Sequence, residues 1–262
     1  MANEKETVTT TGIGGISSFD KSIERPLYDE RQQIFEDTIN FKKAKRIPTM
    51  SNFLTWKVFD AGYTLGEACY NWDIMEKVMR HHIEKYAFDV NIDNGWRNPN
   101  GMMRAFGWER HIIDDEKGSV EVIDSALMDS VEEFKEYMAD PQAFLWTKML
   151  PRRRKSCGAE GPMTKEQLYN GALEFVKYQQ YLTKMNDATL NEYQIPLLCG
   201  PVLGVPYENI YGSWRGIRLT GGDLRRHPNE CMEICDWIWE NQTQKTLNNA
   251  INGDTSMFIF DS

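Results

Sequence analysis

The chain has 262 residues, of which 41% are hydrophobic and 26% are charged, and its formal net charge at pH 7 is −9. This composition is typical of a globular protein with a sizeable buried core, and a single domain is the default at this length. The negative charge argues against nucleic acid as a partner, and no apolar stretch reaches the ~18 residues that span a membrane.

The cysteines and the first residues indicate a cytoplasmic protein. The five cysteines are odd in number and lack the spacing of a disulfide framework, which is typical of reduced thiols. The first residues are rich in Thr, Gly and Ser and contain no apolar core segment, so they are not a secretory signal. We therefore expect residues 1–28 to form a flexible N-terminal arm and residues 29–262 to form one domain.

Helical patterns alternate with short apolar segments along this domain. The first helix is predicted over about 29–43, and a strongly amphipathic helix follows the candidate caps Thr64 and Asn71. A hairpin is predicted at 110–114 and 119–124, within an insertion near 102–124. Further helices are predicted to open at Ser130, Thr164 and Pro228, and strands are predicted at 46–50, 88–92, 195–199 and 257–260.

The alternation predicts an α/β fold with a parallel sheet and crossover helices. An open doubly wound sheet and a closed barrel both fit this pattern. The last predicted strand, Met257–Phe260, has the apolar density of a strand covered on both faces. A complete domain seldom ends on such an edge, so we expect the chain to be part of a longer protein. The alternative is that another chain covers this edge.

Four segments, taken in order, resemble the uroporphyrinogen decarboxylase superfamily. Lys45–Pro48 resembles the family's entry into its first barrel strand, and Tyr86–Asp93 is similar to its second strand, which ends in a functional carboxylate. Ile195–Pro201 is similar to the strand and Gly-Pro signature of the third unit, and Ala250–Ser262 resembles the passage that ends in Asp-Ser. The resemblance implies a (β/α)₈ TIM barrel of uroporphyrinogen decarboxylase type, here truncated after about four strands.

This superfamily contains decarboxylases and corrinoid-linked methyltransferases. The decarboxylases carry an arginine-containing run after strand one, whereas this chain has Ser51–Lys57 there. Because arginines bind substrate carboxylates, their absence favours the methyltransferase branch. The resemblance then implies an enzyme that moves a methyl group between a small methylated substrate and a corrinoid (cobalamin) carrier protein, as part of a demethylating system. A decarboxylase and a non-catalytic, barrel-like binding subunit remain alternatives.

Residues at the carboxyl ends of the predicted strands are the candidate site, because barrel enzymes place their chemistry there. Asp93 and Asp261 are the candidate catalytic carboxylates, although Asp93-Asn94-Gly95 also fits a simple polar turn. The residues predicted to bind substrate are Asn52, Trp56, Asn94, Cys199, Tyr207 and Trp214. For Cys199, a small buried side chain is the competing interpretation.

The segment between Gly200 and His227 is long for a connection from strand to helix, which normally takes about 2–6 residues. Its aromatic and arginine side chains suit a lid over the substrate or a surface that docks a partner protein. A packed loop without a function is the alternative.

No metal ligand is assigned within this chain. It lacks His-x-Cys and Cys-x-x-Cys pairs, and Cys231 and Cys235 fit core positions better than a metal site. The resemblance implies that zinc ligands, where zinc is used, lie beyond Ser262. It also implies homodimerisation.

Overall fold

The computed structural model describes residues 7–12, 15–20, 24–92, 94–95, 98–124, 126–197, 202–203, 205–251 and 260–261. Most of this part is helical, and the strands are short, so the architecture is mixed α/β. The α-helices are α1 (Pro26–Ile39), α2 (Trp56–Asp60), α3 (Leu65–Tyr70), α4 (Trp72–Tyr86), α5 (Asn100–Ala105), α6 (Glu133–Ala139), α7 (Pro141–Phe144), α8 (Leu150–Ser156), α9 (Lys165–Asp187), α10 (Pro206–Asn209), α11 (Gly216–Arg226), α12 (Pro228–Ile238) and α13 (Gln244–Ile251). π-Helical turns occur at Leu145–Met149, Ala188–Glu192, Ile210–Trp214 and Trp239–Thr243. The strands are β1 (Thr7–Gly12), β2 (Gly15–Asp20), β3 (Met50–Ser51), β4 (Val90–Asn91), β5 (His111–Asp114), β6 (Ser119–Val122), β7 (Val202–Leu203) and β8 (Phe260–Asp261).

Parallel pairing is found at the first strands that the alternation predicts. β3 pairs with β4 in parallel, with Met50 opposite Val90 and Ser51 opposite Asn91. Asn91 forms a further parallel bridge with Leu197, which lies in the predicted third strand. Parallel neighbours require long crossover connections, and the helices between these segments provide them.

A second parallel pair joins β7 to β8. Val202 lies opposite Phe260, and Leu203 lies opposite Asp261. The predicted fourth strand, 257–260, is described only at its last residue. The parallel direction predicted for this part of the chain is therefore present at β8.

The first strand is shorter than predicted and lies later in the chain. The predicted range 46–50 shrinks to β3 because the preceding residues bind a side chain instead of a neighbouring strand. The guanidinium of Arg46 donates to both carboxylate oxygens of Asp89, and the backbone N–H of Thr49 donates to the same carboxylate over 2.8 Å. Pro48 has no N–H to give to a ladder.

The predicted caps Thr64, Asn71 and Thr164 are confirmed, whereas the helix predicted to open at Ser130 begins at Glu133. The hydroxyl of Thr64 accepts from the N–H of Glu67 over 3.2 Å, and the Glu67 carboxylate accepts from the N–H of Thr64 over 2.9 Å. Thr164 and Gln167 form the same reciprocal pair at the start of α9. The side chain of Asn71 accepts from two N–H groups in the first turn of α4. These contacts satisfy donors that the first turn of a helix leaves open.

The amphipathic pattern predicted for α4 is confirmed, and the long helix predicted after Thr164 is confirmed as α9. In α4 the buried side chains are Met75, Val78, Met79, His82 and Ile83. In α9 the apolar side chains Leu168, Phe175 and Val176 are exposed. The buried residues of α9 are Gly171, Tyr178, Tyr181, Leu182, Met185 and Asn186. The helix turns Gly171 toward α5, where the ring of Phe106 occupies the space of a side chain.

The N-terminal segment forms a hairpin where the sequence predicts a flexible arm. β1 and β2 pair in an antiparallel ladder that closes with Gly12 opposite Gly15, and β2 lies against α9. Threonine, whose β-branched side chain favours strands, occupies four of the six positions of β1. α1 also begins before the predicted position. Arg31 attaches α1 to the residues that follow α9 and its π-helical turn, through the carbonyls of Tyr193 and Gln194, over 2.6 and 2.8 Å.

The hairpin predicted at 110–124 is confirmed as β5 and β6, with His111 opposite Val122 and Asp114 opposite Ser119. The preceding part of the predicted insertion, 102–105, instead belongs to α5. The two strands of the hairpin are joined by a four-residue turn in which Gly118 has a positive φ of 63°.

The segment between Gly200 and His227, which the sequence predicts to be one long connection, is helical for most of its length. Residues 206–226 form α10, a π-helical turn and α11, and α12 begins at the predicted residue, Pro228. α10, the π-helical turn and α12 share a hydrophobic core with α6 and α7. Its buried members are Leu127, Met128, Val131, Phe134, Tyr137, Phe144, Met149, Ile210, Trp214, Cys231, Ile234 and Ile238.

A separate core lies beneath β4 between α3, α4 and α9. Its buried members are Val58, Leu65, Ala68, Cys69, Met75, Val78, Met79, Ile83, Phe88, Tyr178, Tyr181, Leu182, Met185 and Ile195. Within the described ranges, no helix combines the length and the apolar character that crossing a membrane requires.

Candidate functional site

Buried polar side chains cluster where β3 and β4 end. Ser51 and Asn91 are the last residues of these strands and lie directly opposite each other in the parallel register. Paired positions in a sheet present their side chains to the same face. Both side chains are buried, and each one reaches a helix or a turn that packs on the strands.

Ser51 is bound to a histidine of α4. Its hydroxyl lies 3.0 Å from Nε2 of His82, and the His82 side chain is fully buried. The imidazole also packs against Phe53 and Phe88, at ring-centroid distances of 5.0 and 5.3 Å. A serine and histidine at hydrogen-bond distance can transfer a proton, but here the pair also ties the end of β3 to α4.

A buried lysine reaches the turn that follows β4. The ammonium group of Lys57, in α2, donates to the backbone carbonyl of Gly95 over 2.8 Å, and the residue is only 2% exposed. A buried charge is tolerated only where polar groups surround it, because its removal from water is costly. This ammonium therefore gives the segment after β4 a fixed positive charge.

Asn94 is the centre of a hydrogen-bond network within that segment. Its Oδ1 accepts from Nδ2 of Asn91 over 2.5 Å and from the hydroxyl of Thr189 over 2.9 Å. Its Nδ2 donates to Oδ1 of Asn186 over 2.7 Å, and its backbone carbonyl accepts from the hydroxyl of Tyr181 over 2.5 Å. The network fastens the turn after β4 to the C-terminal part of α9.

One acceptor of this network stays open. Oδ1 of Asn91 is buried and receives no hydrogen bond from the residues that the structure describes. Buried amide oxygens are nearly always paired, so this atom is a place where water or a polar ligand group can bind.

The residues just after β3 present an aromatic surface. The rings of Phe53, Trp56 and Tyr86 lie 5.3 to 5.9 Å apart, centroid to centroid, and all three are partly exposed. Asn52 is exposed beside them. Of the residues predicted to bind substrate, Asn52 and Trp56 are thus open to solvent, and Trp56 contacts the last turn of α4.

The structure separates the remaining predicted residues. Asp93 and Cys199 lie outside the described residues, and Asp261 is described only as a backbone position in β8. Tyr207 and Trp214 belong to the core between α6 and α12. A common site for all of these residues therefore stays a prediction.

Asn94 and Trp214 have structural tasks that differ from the predicted substrate contacts. The amide of Asn94 is already bound on both its oxygen and its nitrogen, and the ring of Trp214 packs on Tyr137 at 4.6 Å with only 7% of the residue exposed.

The thiols whose pKa is shifted are held in the protonated form. Burial raises the pKa of Cys69 to about 12 and that of Cys235 to about 11, and burial also raises the pKa of Cys231. Cys231 lies in the core, as predicted, and Cys235 packs against that core. Among the described residues no three His, Cys, Asp or Glu side chains are grouped as metal ligands would be.

Sequence reasoning missed Lys57, His82, Asn186 and Thr189. The pattern of α4 contains a signal for His82, since this residue follows Val78 and Met79 on the apolar face of the helix. Lys57 and Thr189 carry no such signal, because their partners lie 38 and 95 residues away in the chain.

Comparison of the chain with family models, curated proteins and solved structures finds no match.

Proposed function

We propose that this chain supplies part of the active site of a methyltransferase that moves a methyl group between a small methylated substrate and a corrinoid carrier protein. The observation that carries the proposal is the buried ammonium of Lys57 on the turn after β4, next to the segment that contains Asp93. The ordered resemblance to the uroporphyrinogen decarboxylase superfamily supplies the reaction class. In this proposal β3, β4 and the segment around Leu197 are consecutive strands of a (β/α)₈ barrel.

Methyl transfer is favoured by a positive group next to the donor atom from which the methyl group departs. As the C–O or C–N bond of the donor breaks, the methyl group passes to the corrinoid and the electron pair stays on oxygen or nitrogen, which then takes up a proton. A fixed ammonium near that atom stabilises the negative charge that develops on the oxygen of an ether donor, most strongly where water is excluded. Lys57 would stabilise this charge, and Asp93 or Asp261 would orient the substrate or supply the proton.

The exposed side chains and the buried ones near Lys57 have different roles in this proposal. Asn52 and the ring of Trp56 would contact an aromatic or amine part of the donor, because both are open to solvent beside Lys57 in the sequence. Asn94 would hold the turn that presents Gly95 to Lys57. The described residues do not fit a zinc site, so no step is assigned through zinc.

Methyl transfer to free cob(I)alamin tests the proposal on the chain as it exists. A methyl aryl ether and a methylamine serve as donors, and the visible absorbance of methylcobalamin reports the product. We expect Lys57→Met to lower the rate at least about tenfold, the loss that removal of one charge-stabilising donor causes at a minimum. The control is Lys177→Gln, a half-exposed lysine of α9 paired with Glu174, which should keep the wild-type rate. Absence of methylcobalamin with every donor would remove the proposal.

A decarboxylase is the second candidate, because a buried ammonium also binds a carboxylate. Release of carbon dioxide from uroporphyrinogen or another polyacid, without methylcobalamin formation, identifies that chemistry. If neither product forms while the chain binds a corrinoid protein, the remaining alternative, a non-catalytic binding subunit, is correct. Circular dichroism of Lys57→Met separates a lost charge from a lost fold.

A further inference from the structure

A concentration of positive charge lies where the segment before β5 meets α8. Arg154 of α8 donates to the backbone carbonyl of Phe106. A side chain at Gly107 would come within 2.8 Å of the methyl group of Ala159 and within 3.0 Å of the Arg154 guanidinium. The segment around Gly107 is thus in direct contact with α8. Arg110 and His111 follow in that segment and lie close to Arg153, the residue before Arg154 in α8.

The charges of this cluster act on one another. Arg153 is only 9% exposed. Burial, and then the charge of Arg110, lowers the pKa of Arg153. Burial, and then the same arginine, lowers the pKa of His111, and Arg153 lowers it further. The contact between Arg154 and Phe106 joins the two segments, and the pKa shifts of Arg153 and His111 are those expected when like charges lie near each other.

The carboxylate that precedes Arg110 in the chain, Glu109, is already bound elsewhere. Glu109 accepts from Arg104 over 2.9 Å and from the hydroxyl of Tyr70. Arg110 takes part in no ion pair with the residues that the structure describes. The repulsion between the two arginines is therefore not balanced by a carboxylate on Arg110.

Two nitrogens of the cluster are buried and unpaired. Nε of Arg110 and Nδ1 of His111 have no hydrogen-bond partner in the described part of the chain. A buried donor without a partner is destabilising, and more so when it carries a charge. Arrangements of this kind usually mark a position for water, an ion or a ligand.

We propose that Arg110, His111 and Arg153 bind a small oxyanion, namely the carboxylate or phosphate group of a metabolite. Planar guanidinium groups donate two parallel hydrogen bonds to such groups, and the anion would offset the repulsion between the arginines. Nδ1 of His111, in its protonated tautomer, would donate a further bond. This site is independent of the methyl-transfer proposal, since none of its residues belongs to the region around Lys57.

Calorimetric titration of the complete chain with inorganic phosphate, and separately with acetate, tests the site. Sodium chloride at matched ionic strength is the reference. We expect saturable binding of one anion per chain with at least one probe, and at least about a tenfold weaker affinity in Arg110→Gln, the effect of losing one charged bidentate contact. Lys155→Gln is the matched control, because this exposed lysine lies in the same helix and should leave the affinity unchanged.

The two probes distinguish the source of the anion, since preference for phosphate indicates a phosphorylated ligand and preference for acetate a carboxylic acid. Two results overturn the proposal: a response no larger than that to chloride, and equal weakening by Arg110→Gln and Lys155→Gln. If Arg110→Gln does not fold, the Nε–H resonance of Arg110 in the wild-type chain provides the second measurement. This resonance must shift on addition of the anion.

Discussion

The hydroxyl of Thr189 donates to Oδ1 of Asn94 over 2.9 Å, although 95 residues separate the two in the chain. Thr189 lies in the π-helical turn that extends α9, and its hydroxyl also donates to the backbone carbonyl of Met185. π-Helical turns shift the side chains that follow them and are frequent at functional positions. Here the turn brings Thr189 to the segment after β4.

Asn94→Ala should destabilise the protein through this network. The change leaves Asn186 and Thr189 with buried polar groups that lose a partner, so we expect the free energy of unfolding to fall by at least about 2 kcal/mol. Urea denaturation followed by circular dichroism measures this fall. Asn52→Ala is the matched control, because Asn52 is exposed and its loss should cost less than about 0.5 kcal/mol. Equal effects of both changes would contradict the structural role of Asn94.

Trp214→Ala should destabilise the protein because the ring is a core residue rather than part of a mobile lid. The ring is 7% exposed and packs on Tyr137, so we expect a loss of about 3–5 kcal/mol in thermal or urea unfolding. Tyr211→Ala, at a neighbouring residue that is 37% exposed, should cost much less. A weaker substrate affinity with unchanged stability would instead support the predicted lid.

Asp223→Asn should be strongly destabilising because it breaks a buried ion pair. Arg215 donates to both carboxylate oxygens of Asp223, over 2.7 and 3.1 Å, and the two side chains are 6% and 4% exposed. Removing one partner leaves the other charge buried, which costs about 3–5 kcal/mol. Lys117→Gln removes an exposed pair with Asp114 and should have a much smaller effect, because water screens exposed ion pairs. If urea denaturation shows an equal loss in the free energy of unfolding for both changes, the buried pair contributes no more to stability than the exposed one.

Glu133→Gln should lower stability at neutral pH but not at acid pH. Hydrogen bonds from Arg152 lower the pKa of Glu133 from its ordinary 4.5 to about 2, with burial acting in the opposite direction. A carboxyl whose pKa is lower in the folded state stabilises the fold above its unfolded pKa, and this contribution is lost as the pH falls from about 4.5 toward 2. We expect a difference on the order of 1–3 kcal/mol at pH 7.

Urea denaturation between pH 7 and pH 3 measures this dependence. The difference between the wild type and Glu133→Gln should narrow below about pH 4.5. Glu160→Gln, at an exposed position, is the control and should show a small difference that does not vary with pH. A constant difference for Glu133→Gln across the range would contradict the salt-bridge origin of its effect.

Much of the local structure could be predicted from the sequence. The capping residues of α3, α4 and α9, the first residue of α12 and the hairpin of β5 and β6 depend on contacts between residues a few positions apart. Such contacts can be predicted from the residue types and their spacing in the sequence. The parallel direction of β3 and β4 follows from the crossover between them.

Only the tertiary structure decided which faces and side chains are buried. Three features depend on residues that lie far apart in the chain. Gly171 of α9 faces α5, Trp214 is part of a core, and Lys57 contacts Gly95. A periodic pattern shows that a helix has an apolar side, but it does not show which neighbour covers that side. Burial and hydrogen bonding depend on distances in space, and those distances are set only when the elements pack together.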